Sequence, residues 1–128
     1  MKKKKTVLVI DDDILFTKLV ERHLENQNYE VSSVDSGIQG LKSCSENNYD
    51  LVILDVTMPR MDGYLVLEHM RQRWENGSKS KPFPNVLVVT SIDKKEDMGL
   101  AENLGASAYL RKPYKKEKLI QKVKELTG

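Results

Sequence analysis

Residues 7–15 read VLVIDDDIL. Four apolar residues, Val7 to Ile10, run directly into Asp11, Asp12 and Asp13, and the chain then turns apolar again. A short run that is Val, Ile and Leu throughout suits a strand buried on both faces of a parallel sheet. Its end is the difficulty. Two unit charges about 4 Å apart repel by on the order of 4 kcal/mol at an effective dielectric of ~20. Three carboxylates at the end of a buried segment must either lie open to water or be held together by a cation.

Four further short runs punctuate the chain, YEVSSV, DLVILD, NVLVVT and ASAYLR, and three of the five runs are nearly continuous in Val, Ile and Leu. YEVSSV is more polar and alternates, as an edge strand does. Helical periods lie between the runs. Phe16, Leu19, Val20 and Leu24 recur at i, i+3, i+4 and i+8; Tyr64, Leu67, Met70 and Trp74 form a second stripe. Met98, Ala101 and Leu104 form another, and Leu119, Ile120, Val123 and Leu126 the last. SGIQGLKSCSEN is a weaker helix with Ser36 at its N-cap and Gly40 inside it. Gly105 stands where a helix C′ residue is expected. The order βαβαβαβαβα predicts an α/β fold: a parallel sheet, five helices and right-handed crossovers. ENGSKSKPFPN is the one long loop.

At 128 residues the chain fits one domain, able to bury roughly two thirds of its unfolded surface without a disulfide or structural metal. Cys44 is the single cysteine and can form no internal disulfide. No apolar run approaches the ~20 residues of a membrane span, and the basic start MKKKK leads into a short run that ends in aspartates, unlike a signal peptide. A cytoplasmic protein without membrane insertion is expected. The net charge of +2 is too small to imply nucleic-acid binding. Lysines cluster at Lys2 to Lys5 and again from Arg111 to Lys124, which reads first as solvated surface and second as a patch for an acidic partner.

In an open parallel sheet the working crevice lies beyond the carboxyl ends of the strands. The first strand delivers Asp11 and Asp12 there, the third Asp55, the fourth Thr90 and Ser91, and the fifth Lys112 followed by Pro113. Asp11, Asp12 and Asp55 make a hard, all-oxygen donor set that suits Mg²⁺. Without metal, Lys112 is the main compensation for their charge. A site with a metal, an ammonium and the Thr90 hydroxyl fits a phosphoryl group. No serine–histidine pair or glycine-rich phosphate loop is present, so the nucleophile is a carboxylate.

VLVIDDD, VILDVTMPRMDG, VLVVTS and GASAYLRKPY, in this order over roughly residues 5–126, resemble the receiver domain of bacterial two-component response regulators, including the single-domain chemotaxis type. The resemblance implies a doubly wound, flavodoxin-like fold of strand order 2-1-3-4-5, with residues 1–128 forming one receiver domain and no output domain. It implies that Asp55 is the phosphoacceptor, served by a sensor histidine kinase or a histidine phosphotransfer protein. Asp12 and Asp55 would bind Mg²⁺ directly with the backbone carbonyl of Thr57, and Asp11 mainly through water. Thr90 would hydrogen-bond the phosphoryl group, Lys112 would pair with it, and Tyr109 would be the aromatic that swings inward when Thr90 moves. A cis Lys112–Pro113 bond is implied as well. The chain would be a signalling phosphoacceptor and not an enzyme, presenting the face of its fourth helix, fifth strand and fifth helix to a downstream protein.

Asp13 reads as a helix N-cap, Asp62-Gly63 as the opening of the third helix, and Cys44 and the methionines as packing. His23 and His69 lack ligand-spaced partners. The family varies at the positions of Thr57 and Ile92. Ile92 offers no polar group to a hydrolytic water, so slow loss of phosphate is expected. Two rivals share parts of the pattern. A haloacid-dehalogenase-type phosphatase needs an acid two residues after its nucleophile, where this chain has Thr57. A flavodoxin-like cofactor binder should carry a Ser/Thr/Gly phosphate loop.

Overall fold

The computed structural model describes residues 3–56, 63–77, 83–91, 99 and 102–128. Five strands, β1 (Thr6–Ile10), β2 (Glu30–Val34), β3 (Leu51–Asp55), β4 (Asn85–Thr90) and β5 (Ala108–Arg111), form one parallel sheet of order β2-β1-β3-β4-β5. The helices are α1 (Ile14–Glu25), α2 (Gly37–Glu46), α3 (Gly63–Asn76) and α4 (Lys116–Thr127). Five helices were expected. Of the one through Met98, Ala101 and Leu104, Met98 and Ala101 lie outside the described residues, while Gly99, Glu102 and Asn103 are helical. The described residues thus hold four helices, and the doubly wound order is as expected.

Burial follows from the two faces of the sheet. The central strands β1, β3 and β4 are buried almost throughout, whereas β2, at the edge, is not. Leu8, Ile10, Val52, Leu54, Val86 and Val88 pack under α2 and α3. Val7, Val9, Leu51, Ile53, Leu87 and Val89 pack under α1 and α4. Successive residues of a strand point to opposite faces, so continuous apolar runs fill both cores.

Local signals account for the helix ends. Asp13 is extended and accepts a hydrogen bond from the Phe16 amide at 3.1 Å; Ser36 does the same for Gln39 at 3.2 Å. Gly105 has φ of +99°, the left-handed conformation that ends a helix, and its amide reaches the Glu102 carbonyl at 3.0 Å. One expectation about α1 fails. Its buried face is Thr17, Val20 and Leu24, while Leu19 is 51% exposed. Leu19 adjoins Val20 and is therefore turned by about 100° around the helix, beyond the arc that the sheet covers.

Two buried glycines bring helices close to the working end of the sheet. A Cβ on Gly40 would lie 2.5 Å from the Ile10 Cδ1, the movable tip of a side chain. A Cβ on Gly63 would lie 2.4 Å from the Val56 Cα and 2.8 Å from the Asp55 carbonyl oxygen, both backbone atoms. Backbone cannot yield by rotating, so the start of α3 is seated on the residue after β3 only because position 63 has no side chain. Gly63→Ala should lower unfolding free energy by roughly 1–3 kcal/mol, and by more than Gly40→Ala. Urea midpoints of the two variants test the ranking, and a milder effect at position 63 would contradict it.

Candidate functional site

The alternation that fills the core also aims the ionic residues. Val7 and Val9 of β1, Leu51 and Ile53 of β3, and Leu110 of β5 belong to the core under α1 and α4. Asp11, Asp55 and Lys112 each stand two residues after the last of these and share their side of the sheet. Val9 pairs with Ile53, so Asp11 and Asp55 emerge next to each other. The Lys112 amide donates to the Thr90 carbonyl at 2.7 Å, which carries the β4–β5 pairing one residue past the strand. Lys112 Nζ then lies 3.3 Å from Asp11 Oδ2 and 3.3 Å from Asp55 Oδ2.

Asp11 and Asp55 are buried, at 2% and 5% exposure, whereas Asp12 is exposed. Oxygen atoms of the three carboxylates lie within 4.8 Å of one another. This donor set, hard oxygens of like charge with a single ammonium between two of them, fits a small divalent cation such as Mg²⁺. Thr90 is fully buried and follows Val86 and Val88 along the face under α2 and α3. Tyr109, opposite Val88 in the ladder, is half-buried against that same face. Thr90 and Tyr109 thus meet the rim from one side of the sheet, and the ionic residues from the other. The Lys112–Pro113 bond is cis. Thr57 and Ile92, singled out in the sequence, lie outside the described residues.

Two residues near the site were not read as functional from the sequence. Phe16, assigned to a helix stripe, has Lys112 Nζ over its ring at 3.8 Å from the centroid, within the range of a cation–π contact. Tyr114 packs edge-on against that ring, with centroids 5.9 Å apart. Its hydroxyl is buried without a hydrogen-bond partner among the described residues. Burial first, and then the charges of Asp11 and Asp55, hold the phenol well above its usual range. An aromatic one turn after the acid cluster is the only trace of Phe16 in the sequence, and nothing there marked Tyr114. Cys44, by contrast, is pushed up to about 11 by burial and stays a thiol.

The carboxyl of Asp11 is pushed up to about 6, mainly by burial. The Asp13 amide, which donates to Oδ1 at 2.9 Å, opposes this; the Asp55 charge adds to it and Lys112 opposes it again. The folded value lies above the unfolded one, so the fold favours the protonated form. That contribution is fully present below about pH 4 and is lost as pH rises through about 6. Metal-free protein in chelator should lose roughly 2 kcal/mol relative to Asp11→Asn between pH 4 and 7. Parallel pH profiles of the two proteins in denaturant titrations would refute the shift.

Comparison with known proteins bears on the family and the fold. The family model described as the response regulator receiver domain matches residues 7–124. The alkaline phosphatase synthesis transcriptional regulatory protein PhoP of Bacillus subtilis is 32% identical over 122 residues, covering 95% of this chain and 48% of that protein. The sensor histidine kinase GacS of Pseudomonas protegens is 34% identical over 122 residues, covering 95% of this chain and 13% of that protein. This chain therefore spans about half or less of these curated relatives. Among solved structures, the chemotaxis protein CheY4 of Vibrio cholerae superposes with a TM-score of 0.86 at 26% identity, covering 97% of this chain and 99% of that one. The CheY-like receiver domain protein of Methanospirillum hungatei gives 0.83 at 28%, covering 96% and 93%. With nearly its whole length matched by the family model and its fold by these neighbours, this chain belongs to the response regulator receiver domain family of two-component systems.

Proposed function

We propose that Asp55 accepts a phosphoryl group from a phosphohistidine of a sensor kinase or phosphotransfer protein, in a Mg²⁺-dependent reaction. The observation that carries this reading is the convergence of Asp11, Asp55 and Lys112 on the same side of three parallel strands, with Thr90 buried at the end of the fourth. A carboxylate oxygen of Asp55 attacks phosphorus; its O–P bond forms as the donor's N–P bond breaks, and the imidazole leaves with the electron pair. Asp12 and Asp55 would hold Mg²⁺ directly and Asp11 mainly through water, with the Thr57 carbonyl that the family pattern adds lying outside the described residues, and the metal would supply positive charge to the phosphoryl oxygens. Lys112 moves its ion pair from the Asp55 carboxylate to the new phosphoryl group, and the Thr90 hydroxyl donates to a second oxygen. The chain promotes its own phosphorylation and turns over no separate substrate.

The rim around the acids supports a protein as donor. Ile14 and Leu15 at the start of α1 and Ile38 at the start of α2 are 63%, 77% and 73% exposed. Apolar side chains left in water beside a reactive centre suit a partner surface. On the other flank, β5 and α4 frame a groove lined by Tyr109, Arg111, Lys115, Lys118 and Lys122, with Glu117. When Thr90 turns to the phosphoryl group, Tyr109 gains room on their common face, and this cationic groove changes shape for an acidic or amphipathic downstream segment. The fourth helix expected to share this surface lies largely outside the described residues. Protein partners, no direct nucleic-acid contact and a cytoplasmic setting complete the reading; no helix among the described residues is long and apolar enough to cross a membrane.

Intact mass after incubation with acetyl phosphate and Mg²⁺ should show one added phosphate on the wild type and none on Asp55→Asn. Equal labelling of the variant would remove Asp55 from its role. Mg²⁺ should raise the melting temperature of the wild type by mass action, and Asp12→Ala should abolish that rise. An unchanged metal response in Asp12→Ala would show that this exposed carboxylate is not a ligand.

A further inference from the structure

We propose that Phe16 is a positioning residue for Lys112, its ring face holding the ammonium between Asp11 and Asp55. This rests on the role given to Lys112 above. The ammonium lies 3.3 Å from each carboxylate and 3.8 Å from the centroid of the Phe16 ring. Two of its three protons have acceptors in Asp11 and Asp55. The remaining side meets the negative face of an aromatic ring, which attracts the charge without accepting a conventional hydrogen bond. A carboxylate or carbonyl at that place would draw the ammonium out of the site. Water would do the same.

The surroundings show why a wall is needed there. Lys112 leaves the end of β5 on a flexible four-carbon stem. It borders an open, largely apolar groove of about 470 Å³, shared with Phe16, Leu19, Pro113 and Tyr114. Without the ring, the ammonium could swing into that groove and hydrate. The ring cannot easily turn aside, because Tyr114 meets it edge-on at an interplanar angle of 81°. Tyr114 follows Lys112 by two residues, so one short segment supplies both the cation and the brace for the ring that faces it. Phe16 in turn sits in the first turn of α1, whose N-cap Asp13 receives the Phe16 amide and donates its own amide to Asp11. Acid, ring and ammonium are therefore fixed relative to one another. A ring serving only as packing would have no reason to give its face to the charge.

The test separates the charge of the ring face from its bulk. Mono-, di- and trifluorinated phenylalanine at position 16 withdraw electron density progressively while nearly preserving shape. The initial rate of phosphorylation by acetyl phosphate, at fixed Mg²⁺, should fall stepwise along the series, reaching roughly threefold to tenfold, with the thermal midpoint unchanged. Independently, the ε-methylene protons of Lys112 should resonate upfield of ordinary lysine in the wild type and return to the ordinary position in Phe16→Leu. A flat fluorination series would overturn the proposal, even if Phe16→Leu is slow, since the ring would then act by packing alone. An unshifted Lys112 signal in the wild type would overturn it too. The fluorinated proteins decide the matter if Phe16→Leu does not fold. Lys112→Ala serves as the control. If it is slow while the series is flat, only the role of Phe16 falls; if it is as fast as the wild type, the role of Lys112 falls and that of Phe16 with it.

Discussion

Two buried carboxylates at the ends of neighbouring strands are the constraint around which the rest of the molecule is arranged. Parallel pairing of β1 with β3 aligns the strands' carboxyl ends, and the Val9–Ile53 register sets Asp11 beside Asp55. Neither can retreat into water, because both strands are buried to their last residue. Left alone, such a pair would force one carboxyl to remain protonated. Lys112 relieves this only in part: burial first, and then the Asp55 charge, still hold the Asp11 carboxyl above its usual range. A fold under selection for stability alone would place apolar residues here. The charge retained at this rim is unfavourable for stability, which is what singles the rim out as the candidate site.

The relief comes from far along the chain. Lys112 is 101 residues from Asp11 and 57 from Asp55. Its place depends on β5 pairing with β4 and on the backbone bond from Lys112 to Thr90 that extends the ladder. Helix α3 starts on Gly63 directly against Val56 and the Asp55 carbonyl, so the strand that carries Asp55 is braced from behind. The sheet also divides its end between two faces. Charge gathers on the side of α1 and α4, while Thr90 and Tyr109 belong to the side of α2 and α3. On the proposed reading this division lets a phosphoryl group, held from the charged side, be sensed on the opposite one through Thr90.

Much of this was legible in the residues alone. Continuous Val/Ile/Leu runs named the buried parallel strands, and the polar alternation of YEVSSV named the edge. Asp13, Ser36 and Gly105 act at helix ends as their chemistry predicts, because capping is local: each side chain or φ angle answers to groups within a few residues. That Asp11, Asp12, Asp55, Thr90 and Lys112 gather at one rim was legible because strand ends in a parallel sheet converge whatever the details of packing.

Other features had no local signature. The stripe that included Leu19 matched helical spacing, yet the arc actually buried is fixed by where α1 lands on the sheet, and Thr17 lies inside it while Leu19 does not. Asp11 and Asp12 are adjacent and chemically identical, but alternation buries the first against Asp55 and leaves the second in solvent. Phe16 looked like ordinary core. Its meeting with Lys112 needs α1, β5 and the turn after β5 brought together across 96 residues of chain. The pattern of residue types determined which strands form and which chemistry reaches their ends. Which carboxylate is buried, and what stands behind the ammonium, were decided only by tertiary packing, because those properties belong to pairs of surfaces and not to any one segment.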